Sequence, residues 1–187
     1  MKAYFIHGMN VRDGGEASMD KLADIAREAE VFEEVVELDY PWFGLVRVKL
    51  CNETAAYMIA DLVEPGHAVF CHSNAAAIAY RAVTQYGARF RYACLLNAAL
   101  RSDTTIPHAD FVDTWWSPDD VPTLLARWTR FFVPSFWGAQ GRTGYTGRCK
   151  THFNHRMPHV GHTGVFRHGW LMRKIVQTAA DRLGLSG

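Results

Sequence analysis

The chain has 187 residues, of which 49% are hydrophobic and 21% are charged, and its formal net charge is +1. This length and composition are ordinary for one globular domain spanning residues 1–187. No apolar run approaches the length of a membrane span, and the first eight residues lack the features of a secretory signal. We therefore expect a cytoplasmic protein without a membrane span.

The charges are unevenly distributed along the chain. Residues 1–120 hold 10 Lys/Arg against 18 Asp/Glu, whereas residues 121–187 hold 10 Lys/Arg against Asp181 alone. We expect the two halves to pack together and neutralise each other; the alternative is a basic C-terminal surface that attracts an anionic partner. No run of consecutive Lys/Arg is longer than the pair Arg173-Lys174, which disfavours nucleic-acid binding.

Short apolar segments alternate with helical patterns from one end of the chain to the other. Strands are predicted at residues 4–6, 31–38, 67–71, 92–97, 111–116 and 151–155. Helices are predicted at about 16–30, 52–63 with Asn52 as N-cap, 73–86 and 165–183. This alternation predicts an α/β fold: a three-layer sandwich with a mostly parallel sheet of about six strands.

The segment from Gly66 to Arg81 contains the strand-to-helix corner of most chemical interest. Ser73 stands at the turn, between the apolar strand 67–71 and an Ala-rich helical pattern. Such a turn needs small residues two positions on either side of the serine, and Cys71 and Ala75 meet this need. The corner predicts an exposed hydroxyl next to the first N–H groups of the helix, although a serine here is also a common helix N-cap.

In an open parallel sheet, ligands bind beyond the carboxyl ends of the strands. The residues that follow the predicted strands include His7-Gly8, Ser73, Asp119-Asp120 and the segment His159 to His162. A serine, an acid and a histidine, in that chain order, are thus expected on one edge of the sheet.

This order, together with the His-Gly dipeptide after the first strand, resembles the α/β-hydrolase superfamily over nearly the whole chain. The resemblance implies that Ser73 is the nucleophile, Asp120 rather than Asp119 the triad acid, and His162 the base. The connection from Asn97 to Phe111 is short, which implies a minimal fold without a large lid.

The chemistry explains these residue types. A neutral hydroxyl needs a base of near-neutral pKa, which imidazole supplies, and a carboxylate holds the imidazole tautomer. A developing oxyanion needs fixed donors, for which the backbone N–H groups of Met9 and Asn74 are suitably placed. No cofactor is expected.

Several of these residues have alternative interpretations. Asp120 precedes Val121-Pro122 and also fits a helix N-cap. The series His152, His155, His159 and His162 suggests a metal site, but on a strand His152 and His155 point to opposite faces, so we expect no metal. Residues 144–151 resemble a phosphate-binding loop, but Cys149 stands where that loop requires glycine.

Aromatic residues near the strand ends are the expected pocket walls, namely Trp42, Trp115 and Trp137. They suit an apolar or aromatic acyl or alcohol group. Together with the resemblance, this implies a serine hydrolase that acts on small carboxylic esters through an acyl-enzyme. The alternative function is a binding or regulatory protein on a hydrolase scaffold, with an idle serine and a basic C-terminal surface.

Overall fold

A computed structural model describes residues 1–8, 18–38, 48–124 and 136–186, with side chains omitted for 48–51. Six parallel strands form one sheet in the order β2-β1-β3-β4-β5-β6. The strands are β1 (Lys2–Ile6), β2 (Glu34–Leu38), β3 (His67–His72), β4 (Phe90–Leu96), β5 (Ala109–Trp116) and β6 (His152–Arg156).

Helices cover both faces of this sheet. The helices are α1 (Met19–Glu28), α2 (Val48–Leu62), α3 (Ala75–Tyr86), α4 (Gln140–Thr143) and α5 (Gly169–Leu183), with a 3-10 helix at Gly164–Arg167. Helices α2 and α3 pack together over one core cluster, and α1 and α5 pack together over the other. The predicted three-layer α/β architecture with a parallel sheet is therefore confirmed.

The two core clusters follow from the alternation of side chains along each strand. In β3, Val69 and Cys71 belong to the cluster under α2 and α3, whereas Ala68 and Phe70 belong to the one under α1 and α5. A central parallel strand buried on both faces has an uninterrupted apolar sequence, which is why β3 was detectable as a continuous run.

Several element boundaries differ from the predictions by a few residues. The second strand begins at Glu34 instead of residue 31, and the last predicted helix is a 3-10 helix followed by α5. The described connection from β4 to β5 contains no helix, in keeping with the predicted short link. Within the described residues, no helix is long and apolar enough to cross a membrane.

Candidate active site

Ser73 occupies the corner between β3 and α3. Its φ of 55° lies in the left-handed region, which is uncommon for a residue with a side chain and marks a strained turn. The backbone is held on the side of β4: the Ser73 N–H donates to the Leu96 carbonyl at 2.9 Å, and the Ser73 carbonyl accepts from the Ala99 N–H at 3.0 Å. These two hydrogen bonds fix the position of the backbone that carries the Ser73 hydroxyl.

Gly8 lets the end of β1 pass directly beside this corner. A Cβ atom at position 8 would lie 3.1 Å from the Ser73 Cβ and 3.2 Å from Nδ1 of His72. Any side chain at position 8 would therefore press on the serine and its neighbour. The His-Gly dipeptide singled out in the sequence is thus next to Ser73, and a side chain at its glycine would require Ser73 or His72 to shift by a few tenths of an ångström.

Ser73, His162 and Asp120 form one continuous hydrogen-bonded array. Nε2 of His162 is 2.9 Å from Oγ of Ser73, and Nδ1 of the same ring is 2.9 Å from Oδ1 of Asp120. The carboxylate can only accept, so Nδ1–H donates to it and Nε2 accepts from the serine hydroxyl. The Asp120 side chain is fully buried, and that of His162 is 17% exposed.

Asp120 has two contacts that correspond to its two interpretations from sequence. Its Oδ1 contacts His162 and also accepts the Thr123 N–H at 3.1 Å, capping the helical segment at 121–124. The neighbouring Asp119 is half exposed and lies 3.6 Å from His159. The structure thus brings Asp120, and not Asp119, to the imidazole of His162.

Asn74 follows the serine and adopts helical backbone angles, with φ −63° and ψ −24°. Its carboxamide makes a reciprocal pair with Asn52 on α2, with N···O distances of 2.8 and 3.0 Å, and both residues are buried. The expected role of Asn52 as an N-cap is wrong, because α2 begins at Val48 and Asn52 lies inside it. The pair ties the start of α3 to α2.

The other three histidines of the C-terminal series do not join the site or one another. They have separate partners: His152 lies within hydrogen-bond distance of Thr114 and Thr105, His155 of Asp113, and His159 is beside Asp119. Within the part of the chain that the structure describes, no three His, Cys, Asp or Glu side chains are grouped as metal ligands would be.

Two of the expected substrate contacts are core residues. Trp115 is 2% exposed and stacks on His155, and Trp137 is 3% exposed in the opposite core cluster. Their burial does not support the expectation that they line a pocket, since both indole rings pack into the core. Trp42, and Met9 with its N–H, lie outside the described residues.

Acid is expected to destabilise the fold through two buried histidines. Burial lowers the pKa of His72 to about 3 and that of His152 to about 4. Between these values and 6.5, the unfolded chain binds protons that the folded chain excludes, so stability present above pH 6.5 is lost as the pH falls. We expect a loss on the order of 1 kcal/mol per pH unit per histidine, measured by urea unfolding from pH 7 to 4.

The matched pair for this measurement is His72→Gln and His159→Gln. The His72 variant removes a buried titrating group and should flatten the dependence of unfolding free energy on pH, whereas the His159 side chain is 94% exposed and its replacement should leave the slope unchanged. An unaltered slope in His72→Gln would contradict the assignment of the acid sensitivity.

Solved structures of α/β hydrolases are similar to this chain over nearly its whole length. An α/β-hydrolase domain-containing protein 10 from mouse aligns with TM-score 0.67 and 9% identity, over 98% of this chain and 89% of that one. A predicted CIB-like hydrolase from Thermoplasma acidophilum aligns with TM-score 0.60 and 14% identity, over 97% and 85%. This chain has an α/β-hydrolase fold.

A third solved structure that is similar to this chain is described as lacking a lid. A serine hydrolase without lid from Xanthomonas campestris aligns with TM-score 0.57 and 12% identity, over 97% of this chain and 82% of that one. No family model matches the sequence, and no curated protein matches it. At these identities the likeness establishes the α/β-hydrolase fold alone, and the chemistry rests on the residues themselves.

Proposed function

We propose that this α/β-hydrolase-fold protein is a serine hydrolase that cleaves small carboxylic esters through an acyl-enzyme on Ser73. The observation that carries the proposal is the pair of 2.9 Å hydrogen bonds that joins the serine hydroxyl to His162 and His162 to Asp120. A hydroxyl, a base within reach and a group that orients the base are the requirements for nucleophilic acyl transfer.

In the proposed reaction, Oγ of Ser73 attacks the ester carbonyl carbon while its proton passes to Nε2 of His162. Asp120 stabilises the imidazolium that forms. The tetrahedral intermediate then collapses, the C–O bond to the alcohol breaks, and the alcohol leaves with the proton from Nε2. Water, activated by the same ring, hydrolyses the acyl-serine and restores the enzyme.

The oxyanion of the tetrahedral intermediate needs hydrogen-bond donors that point at the former carbonyl oxygen. The Asn74 N–H is proposed as one donor, because it is among the first N–H groups of a helix and these have no partner within the helix. The Met9 N–H, outside the described residues, remains the predicted second donor. Loss of one such donor typically costs 10²–10³ in kcat.

The ester substrate and the cytoplasmic location belong to the same proposal. An ester is favoured over an amide because nothing in the sequence marks a special arrangement for protonating an amine. Cys71 and Cys94 are buried free thiols, which fits a reducing compartment.

Labelling with a fluorophosphonate probe tests the function directly. Folded protein should be modified at one site, and peptide mapping should place the adduct on the peptide containing Ser73. The Ser73→Ala variant and urea-unfolded protein should both remain unlabelled. A folded wild-type protein that resists the probe and hydrolyses no member of a p-nitrophenyl ester series would overturn the proposal and leave a scaffold for binding.

A further inference from the structure

The main chain of His162, and not only its ring, is held by side chains. The His162 carbonyl accepts hydrogen bonds from Nδ2 of Asn97 at 2.6 Å and from Nε2 of His72 at 3.0 Å. The same Asn97 amide reaches the Gly161 carbonyl at 3.0 Å. Asn97 is fully buried and His72 is 3% exposed, so both donors are shielded from water, and a buried donor left without a partner is costly.

Both donors belong to the part of the molecule that carries the serine. His72 directly precedes Ser73 at the end of β3. Asn97 lies between Leu96 and Ala99, whose backbone groups bond to the N–H and carbonyl of Ser73. The serine backbone and the His162 carbonyl are therefore both attached to the end of β4.

The residue type at position 97 fits this task. Its φ of 46° is in the left-handed region, which asparagine tolerates better than most residues with a side chain. Its N–H donates to the Trp115 carbonyl at 2.9 Å, which fixes the backbone. A carboxamide then offers two N–H donors to two carbonyl oxygens, whereas an ionised carboxylate offers none.

His72 serves as the second donor in the tautomer that carries its ring proton on Nε2. A neutral imidazole carries one proton, and the bond to the His162 carbonyl requires that this proton be on Nε2. The ring also lies against His162, with ring centroids 4.9 Å apart, so a charge on His72 would face the imidazolium that forms during catalysis.

We propose that Asn97, assisted by His72, is a positioning residue that sets the distance from Nε2 of His162 to Oγ of Ser73 by holding the His162 carbonyl. This inference rests on the proposed function, since it assigns a role relative to the same base and nucleophile. Without the Asn97 amide, the loop that carries His162 loses two backbone hydrogen bonds to the end of β4.

The test compares Asn97→Asp with Asn154→Asp. Asn154 also donates its amide to a backbone carbonyl, that of Tyr145 at 2.8 Å, but it belongs to a loop contact that does not involve Ser73, Asp120 or His162. With a p-nitrophenyl ester we expect Asn97→Asp to lower kcat 10- to 100-fold with KM within threefold of wild type, and Asn154→Asp to change neither. Equal kcat in wild type and Asn97→Asp would overturn the proposal.

A spectroscopic measurement separates positioning from mere stability. The ring nitrogens of His162 in ¹⁵N-labelled protein report its bonds to Asp120 and Ser73, and we expect them to shift in Asn97→Asp and not in Asn154→Asp. Unshifted His162 nitrogens in a folded Asn97→Asp protein would overturn the inference. Should that variant fail to fold, Asn97→Gly, which keeps the left-handed backbone, takes its place in both measurements.

His72 supplies the rescue experiment. His72→Leu removes the second donor and should lower kcat, whereas His72→Gln keeps an N–H donor and should retain more activity than the leucine variant. Equal loss in the two would contradict the role of the hydrogen bond. If wild-type protein does not react with the fluorophosphonate, the proposed function fails, and the His162 nitrogen shifts still decide whether Asn97 positions the ring.

Discussion

Asp120→Asn is expected to lower kcat for a p-nitrophenyl ester by about 10⁴-fold while leaving the fold intact. Oδ1 of Asp120 is the atom that faces both Nδ1 of His162 and the Thr123 N–H. An asparagine that places its oxygen there keeps both hydrogen bonds but lacks the charge that stabilises the imidazolium. One that places its nitrogen there forces the ring proton onto Nε2, which then cannot accept the proton of Ser73.

Asp119→Asn is the matched control for this change. Asp119 is adjacent in sequence and loses the same charge, but its contact is with the exposed His159. We expect kcat within about twofold of wild type, since an exposed ion pair contributes little. A loss in Asp119→Asn equal to that in Asp120→Asn, or more than a tenth of the activity left in Asp120→Asn, would contradict the assignment of the acid.

Gly141→Ala is expected to destabilise the protein by about 3 kcal/mol and to abolish most activity. A Cβ atom at this position would lie 2.4 Å from the carbonyl carbon of Asn97 and 2.7 Å from Oδ2 of Asp120. The Gly141 backbone cannot retreat freely, because its N–H bonds to Ala98 and its carbonyl bonds to Ser117, each at 2.8 Å. The added methyl group would therefore displace Asn97 and Asp120 together.

Thermal unfolding measures this effect, and a loss of this size should lower Tm by about 6–12 °C. Gly169→Ala is the control, because a Cβ there would meet the flexible end of Arg173 at 3.4 Å, an ordinary contact. We expect its Tm and activity to stay close to those of wild type. A Gly141→Ala protein as stable and active as Gly169→Ala would show that the crowding around Asn97 is relieved at no cost.

The architecture could be predicted from the sequence because strands and helices leave local patterns of apolar residues. Apolar strands such as β3 alternate with helical periods, and residues placed after parallel strands must meet at one edge. That reasoning predicts the strand-to-helix turn at Ser73 and places Asp120 and His162 at the same edge of the sheet. The preference for Asp120 came from the family resemblance and agrees with the contact to His162.

Contacts across long stretches of chain were not readable in this way. Asn52 was assigned to a helix start because a polar residue before an apolar period is typical of a cap, but its partner Asn74 is 22 residues away. Asn97 is 65 residues from the carbonyl it holds. The same limit applies to Trp115 and Trp137. The sequence gives their positions along the chain, but only the folded structure shows that their side chains are buried in the core.

The hydrogen bonds from Asn97 and His72 to His162 are accepted by its backbone carbonyl oxygen, an atom that every amino acid possesses. We expect exchanges of side chains on that loop, at the exposed positions His159 and Thr163, to leave these hydrogen bonds in place. Saturation mutagenesis of these two positions would therefore change the exposed surface of the loop while the carbonyl of His162 keeps its hydrogen bonds. The loop thus keeps its hydrogen-bonded backbone while its exposed side chains can be exchanged, which is a favourable starting point for changing substrate selectivity.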